Sequence, residues 1–199
     1  IPAKNSIFAH CVHISPDEIR ILKDTGTSVS HNPVSNMMLG DGVAPVVEML
    51  RQGVNVALGT DGAASNHSQD LFDTMKAASL LQKVHHQDAS VIKPYEVLRM
   101  ATIGGARALG LDSLCGTIEV GKRADLILVD LDTAHLQPVN DIFSQIVHCA
   151  KASDVQTVIV DGEIVMRDRQ LARLDDKKIL ADAKASNRDL MERVDGLVF

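Results

Sequence analysis

Three short apolar runs near the start of the chain each stop at a side chain with chemistry to offer. Ser6-Ile7-Phe8-Ala9 runs into His10, and Thr27-Ser28-Val29-Ser30 runs into His31, followed by Asn32-Pro33. Asn55-Val56-Ala57-Leu58-Gly59-Thr60 runs into Asp61, followed by Gly62. Apolar runs of this length, the third of them bounded by Gly, read as buried strands. The segments between them read as helices. One has Ser15 as N-cap, Pro16 at the first helical position, Glu18 three residues after the cap and Gly26 at the end, which are helix start and stop signals. Residues 44–51 carry helical apolar spacing before Gly53, and residues 69–86 supply a further helix. Strand–helix alternation calls for parallel strands joined by right-handed crossovers. Parallel strands bring their C-terminal ends to one rim, so His10, His31 and Asp61 are expected to converge there, as in (β/α) barrels. An Asp beside Gly also caps turns, and at Asp61 alone the two readings balance. Repetition of the pattern favours a site.

The later pattern differs. Residues 93–101 and 105–109 read as two helical pieces, the second closing at Gly110. Residues 116–123 have an exposed, turn-like texture, 124–131 form a strand, and 141–150 an amphipathic helix. Two β runs, 155–160 and 163–166, flank Asp161-Gly162, a two-residue hairpin signal. Residues 175–195 are charged and helix-compatible. The expected organisation is an α/β barrel-type segment over 1–111, a small, incomplete β-sandwich-type domain over 112–172, and a helical tail over 173–199.

Composition narrows the class. An apolar content of 45% and a charged content of 23% over 199 residues are those of a soluble globular protein. A net charge of −6 without a basic cluster argues against nucleic acid or an anionic membrane as partner, and apolar runs are too short to span a bilayer. Cys11, Cys115 and Cys149, odd in number and far apart, fit reduced thiols of the cytoplasm better than a disulfide frame. The start at Ile1, within five residues of a strand, suggests a cut through a longer protein.

Taken together, these residues resemble the C-terminal part of an amidohydrolase-superfamily enzyme. The branch is that of the 5-methylthioadenosine/S-adenosylhomocysteine deaminases and triazine hydrolases. The matching pieces are Ala9-His10-Cys11-Val12-His13, His31-Asn32-Pro33 with Ser35-Asn36, and Gly59-Thr60-Asp61-Gly62 with Ser65-Asn66. Ala101-Thr102, Gly104-Gly105-Ala106 and the run from Gly116 to Leu126 add to them. The resemblance implies strands 6–8 of a (β/α)8 barrel. It implies that Asp61 ligates the catalytic metal and takes a proton from the attacking water, and that His10 hydrogen-bonds that water or the leaving group. It places His31 on the rim near the substrate, and Ser65, Asn66 and His67 in a loop that shapes the pocket, although His67 equally suits an exposed loop. The family's His-x-His pair, its further His ligand and its acid/base Glu have no counterpart here, which makes the chain a partial enzyme.

The implied reaction is hydrolytic deamination of an adenosine-type thioether nucleoside, with a triazine- or guanine-type hydrolase, or a non-catalytic fragment, as alternatives. A site of one carboxylate and several imidazoles suits zinc first and iron second, ahead of calcium or magnesium. A homo-oligomer of the full-length enzyme is compatible with this reading, and the isolated chain is expected to bind zinc weakly and to aggregate through unpaired strand edges. Other residues invite blander readings. His13 suits a loop or cap, and His85-His86 a helix C-terminus. His135 and His148 are assigned no role and placed in the β-rich part. Cys11 is expected against a helix, Asp125 and Asp130 in turns, and Met37-Met38-Leu39 in a pocket wall or in core or lid packing.

Overall fold

Parallel pairing unites the three apolar runs. In the computed structural model, which describes residues 2–194, β1 (Ile7–Ala9), β2 (Ser28–His31) and β3 (Val56–Leu58) form a parallel sheet in that order. Phe8 registers with Val29, and Val29 with Val56. The first crossover is α1 (Pro16–Thr25). Its Ser15 hydroxyl accepts from the Glu18 amide while the Glu18 carboxylate accepts from the Ser15 amide, and Gly26 closes it at φ 69°. A cap of this kind contributes about 1 kcal/mol. The helix buries Ile19 and Leu22, three apart on one stripe.

The second crossover holds two helices, α2 (Pro33–Leu39) and α3 (Val46–Gln52). Apolar spacing announced only α3. Helix α2 buries Pro33, Ser35 and Asn36, so it has no apolar stripe to read. Met37, Met38 and Leu39 at its end are 47%, 54% and 63% exposed, so they are not core residues. Beyond β3 come α4 (Ala63–Asn66), α5 (Leu71–His86) and α6 (Pro94–Arg99). The two helical pieces expected around residues 93–109 are continuous: a π turn over Met100–Gly104 joins α6 to α7 (Gly105–Ala108). Gly104 permits this turn to press on β3, since a Cβ there would lie 2.6 Å from the Val56 carbonyl oxygen. The Asn55 side-chain amide donates to the Gly104 carbonyl at 3.0 Å and fastens the contact.

A second sheet is antiparallel, in the order β4 (Leu126–Val129), β5 (Val155–Val160), β6 (Glu163–Arg167), β7 (Gln170–Leu171). Asp161 (φ 51°) and Gly162 (φ 82°) form the β5–β6 turn, both in the left-handed region that a type I′ hairpin needs. Between β4 and β5 the chain returns to the first region. Helix α8 (Ile142–His148) packs on α5 and α6. Leu136, Val147, Ala150 and Val155 share one core with Val29, Met49, Met75 and Val97. Residues 136–150 thus belong to the packing of the parallel region, because the apolar face of α8 is buried there. His148, placed in the β-rich part from sequence, sits on α8 with its Nε2 3.0 Å from the Ser79 hydroxyl of α5. The last helix, α9 (Asp176–Arg193), buries no residue, and residues 195–199 of the expected tail lie outside the described residues. No helix among the described residues is long and apolar enough to cross a membrane.

Candidate functional site

The ends of β1 and β3 and the start of α2 meet at one edge of the parallel sheet. The His10 amide donates to the Ser30 carbonyl at 2.9 Å, so the ladder runs one residue past β1. The backbone then turns, with His10 at φ 66° and Cys11 at φ 50°. Asp61, three residues past β3, is also left-handed at φ 63°. Non-glycine residues rarely adopt this region, and such strain gathers at functional sites. Gly59 leads the chain to Asp61 where no side chain fits. A Cβ there would overlap Asn32 Oδ1 and lie 2.7 Å from Ser30 Oγ.

His10 Nε2 lies 3.8 Å from Asp61 Oδ2, and both side chains are about one-third exposed. That separation exceeds a hydrogen bond and leaves the two groups facing a common space. Asp61 Oδ2 instead accepts from the hydroxyls of Ser35 (2.6 Å) and Ser65 (3.0 Å). The Ser35 hydroxyl, the Gly62 amide and the Ser65 hydroxyl hold the Asp61 carboxyl below its ordinary pKa, and nearby His10 adds a smaller pull in the same direction. Asp61 is therefore an ionised carboxylate at neutral pH. On the other side of the imidazole, His10 Nδ1 lies 2.7 Å from Asn36 Oδ1.

His31 departs from expectation. It ends β2, but its ring is fully buried and neither nitrogen has a partner among the described residues. Burial, and secondarily His10, push its pKa down to about 4, so it is neutral near pH 7. An enclosed ring offers a substrate no surface, which corrects the substrate-side placement of His31. Alternation along a strand sends neighbouring side chains to opposite faces, and the last residue of β2 turns inward. Asn66 departs as well: it is buried, and its amide donates to the Thr60 carbonyl at 2.6 Å, holding the loop and not a ligand. His67 is exposed at φ 61°, where it ends α4. Gln69 completes the loop by donating to the Asp61 carbonyl at 3.2 Å.

Among the other candidates, His13 is exposed after β1. His86 ends α5 with Nε2 3.9 Å from Glu48. Cys11 is half-buried against the core, and burial raises its thiol pKa; a raised thiol pKa makes a poor nucleophile. Ser35 and Asn36, both fully buried, are the residues in contact with Asp61 and His10 that sequence reasoning left without a role. Their signal was a polar pair in the first turn of a Pro-initiated helix directly after a strand.

The donor set fits one arm of a metal site. Asp61 offers a carboxylate at the sheet edge with His10 beside it, a combination suited to zinc. Among the described residues no group of three or more His, Cys, Asp or Glu side chains is placed to hold a metal ion. Further ligands would have to come from elsewhere.

Comparison with known proteins follows the same lines. Residues 2–165 match the amidohydrolase family profile. A 5-methylthioadenosine/S-adenosylhomocysteine deaminase from Acetivibrio thermocellus is 49% identical over 178 residues, which is 89% of this chain and 41% of that protein. The crystal structure of an adenosine deaminase from Xanthomonas campestris with bound zinc superimposes with a TM-score of 0.91 at 37% identity, over 94% of this chain and 42% of that one. An atrazine chlorohydrolase from Arthrobacter aurescens, complexed with zinc, superimposes with a TM-score of 0.86 at 28% identity, over 91% and 41%. The chain thus spans less than half the length of the proteins it matches.

Proposed function

The chain belongs to the amidohydrolase family, and from that premise we propose that it forms the Asp61 side of a metal-dependent hydrolytic deaminase. The substrate class is an aminopurine nucleoside of the 5-methylthioadenosine or S-adenosylhomocysteine type. The parallel segment corresponds to strands 6–8 of a (β/α)8 barrel, and the remaining ligands and the acid that protonates the departing ammonia lie outside this chain. The observation that carries the reading is the approach of His10 Nε2 to 3.8 Å from Asp61 Oδ2 at one sheet edge.

When bound, a divalent metal, zinc by preference, supplies the Lewis acidity that makes water a nucleophile near neutral pH. Asp61 would hold it, and Asp61 accepts the proton that the water releases as its oxygen attacks the amino-bearing ring carbon. His10 Nε2 faces the same space and orients that water. Ser35 and Ser65 hold the carboxylate in place through neutral donors, which fix its direction without cancelling its charge. Loss of ammonia then restores the aromatic ring as the hydroxy (keto) purine.

The reading is tested by complementation. The chain is co-expressed with the N-terminal part of the Acetivibrio thermocellus deaminase that it does not align with, loaded with zinc, and assayed for conversion of 5-methylthioadenosine to its inosine counterpart. Conversion that Asp61→Asn abolishes is the expected result. Chloride release from a chlorotriazine without nucleoside deamination, or no turnover by a soluble zinc-loaded complex, would overturn it.

A further inference from the structure

Helix α2 touches both reactive groups, and the proposed chemistry has used only one of those contacts, that of Ser35 with Asp61. β2 is the central strand of the parallel sheet, and a single residue, Asn32, separates its end from Pro33 at the start of α2. The first turns of α2 therefore sit between the ends of β1 and β3. Ser35 and Asn36 are consecutive, so their side chains leave the helix about 100° apart. Ser35 reaches Asp61 Oδ2 at 2.6 Å, and Asn36 reaches His10 Nδ1 at 2.7 Å. Both residues are fully buried. Backbone anchoring is equally firm: the Asn36 amide donates to the Asn32 carbonyl at 3.0 Å, and the Asp41 amide donates to the Asn36 carbonyl at 2.9 Å.

We propose that α2 is a clamp in which Ser35 and Asn36 are positioning residues, Ser35 fixing the Asp61 carboxylate and Asn36 fixing the tautomer of His10. The amide oxygen of Asn36 only accepts, so His10 Nδ1 carries the ring proton. Nε2, on the Asp61 side, is then left with its lone pair free to accept a hydrogen bond from water. The Asn36 side-chain nitrogen has no partner among the described residues. The contact to His10 is thus what this buried amide provides, and a carboxylate in its place would keep the acceptor. The inference deepens the deaminase reading and rests on it for the kinetic and zinc-affinity parts of its test, while the tautomer measurement stands apart from it.

In the complemented enzyme, Asn36→Leu should lower kcat by about 10–100-fold, the usual cost of losing a residue that orients a reactive group, with KM little changed. Asn36→Asp, which keeps the acceptor oxygen, should recover most of that loss. Ser35→Ala, which removes one oxygen and little volume, should weaken zinc affinity by a similar about 10–100-fold factor, measured by chelator competition. The tautomer is read without turnover, from imidazole nitrogen shifts of ¹⁵N-histidine-labelled, metal-free protein. His10 should be Nδ1-protonated in the parent and in Asn36→Asp, and should lose that preference in Asn36→Leu. An Nε2-protonated His10 in the parent would overturn the inference. So would Asn36→Leu with unchanged kcat and tautomer, or Ser35→Ala with unchanged zinc affinity. Absence of deamination in the parent would sink the proposed function alone, because the nitrogen shifts need neither substrate nor metal.

Discussion

Two histidine–aspartate pairs in this chain have the same residues and opposite designs. In the connection to the antiparallel sheet, His135 Nε2 lies 2.9 Å from Asp154 Oδ2, and the Lys151 amide donates to the same oxygen at 2.9 Å. Asp154 is nearly enclosed, at 5% side-chain exposure. Burial pulls its pKa up, but the hydrogen bond from His135 and the Lys151 amide pull harder, and the net shift is downward. At the rim, His10 and Asp61 stand 3.8 Å apart with both side chains about one-third exposed, and hydroxyls take the place of a direct imidazole contact. The first pair satisfies itself and fastens the chain. The second is held apart by its neighbours, so each group keeps capacity for something that is not protein. The pair in contact is structural here, and the pair across a gap is the one to which the proposed chemistry is assigned.

The largest expected effect separates the pairs by activity. In the complemented enzyme, Asp61→Asn should reduce kcat by at least about 10²–10⁴-fold, the range for losing a general base, while Asp154→Ala should leave kcat near the parent value. Equal losses would erase the distinction. The next effect belongs to the rim and its buried neighbour. His31 has a folded-state pKa of about 4 against an ordinary value of 6.5, so between those values the unfolded chain binds more protons. Stability is therefore fully present above about pH 6.5 and falls with acidification towards pH 4, by about 1.4 kcal/mol per unit from this group. Urea melts at pH 7 and 5.5 should show that slope, and His31→Leu should flatten it; a slope that survives the substitution would mean His31 is not its source.

Asp154→Ala should then cost about 1–3 kcal/mol of stability through loss of a buried acceptor, visible as a lower urea midpoint with the slope of the transition unchanged. A midpoint equal to the parent's would deny the pair its fastening role. The smallest signal is expected from zinc on the chain alone. With no third His, Cys, Asp or Glu grouped with Asp61 and His10 among the described residues, equilibrium dialysis should find no tight stoichiometric binding, since a structural or catalytic zinc takes at least three protein ligands. Tight one-to-one binding would show that the gap at the rim is already a complete site.

Much of this arrangement was legible in the residues. The apolar runs that end at His10 and Asp61 and the helix signals between them required parallel strands, and parallel strands required a shared rim. The Asp161-Gly162 turn and the Ser15–Glu18 cap were equally plain. His31 was misplaced because its run ends just as the other two do, and only the inward turn of the last β2 residue encloses its ring. Asn66 was misplaced because an amide beside a site is as able to bind the local backbone as a ligand, and here the Thr60 carbonyl claims it. Helix α8 went to the wrong neighbour because its spacing declares an apolar face and says nothing of what covers it.

What the sequence alone determined is therefore local: where strands stop, where helices are capped, which turn reverses the hairpin, and which side chains stand at strand ends. Caps, turns and alternation act over a few neighbouring residues, so the residue types suffice to specify them. The tertiary structure decided the partners. Ser35 meets Asp61, and Asn36 meets His10, each across 26 positions of chain. No local preference fixes contacts at that distance; they exist because the central strand delivers its helix between its two neighbours.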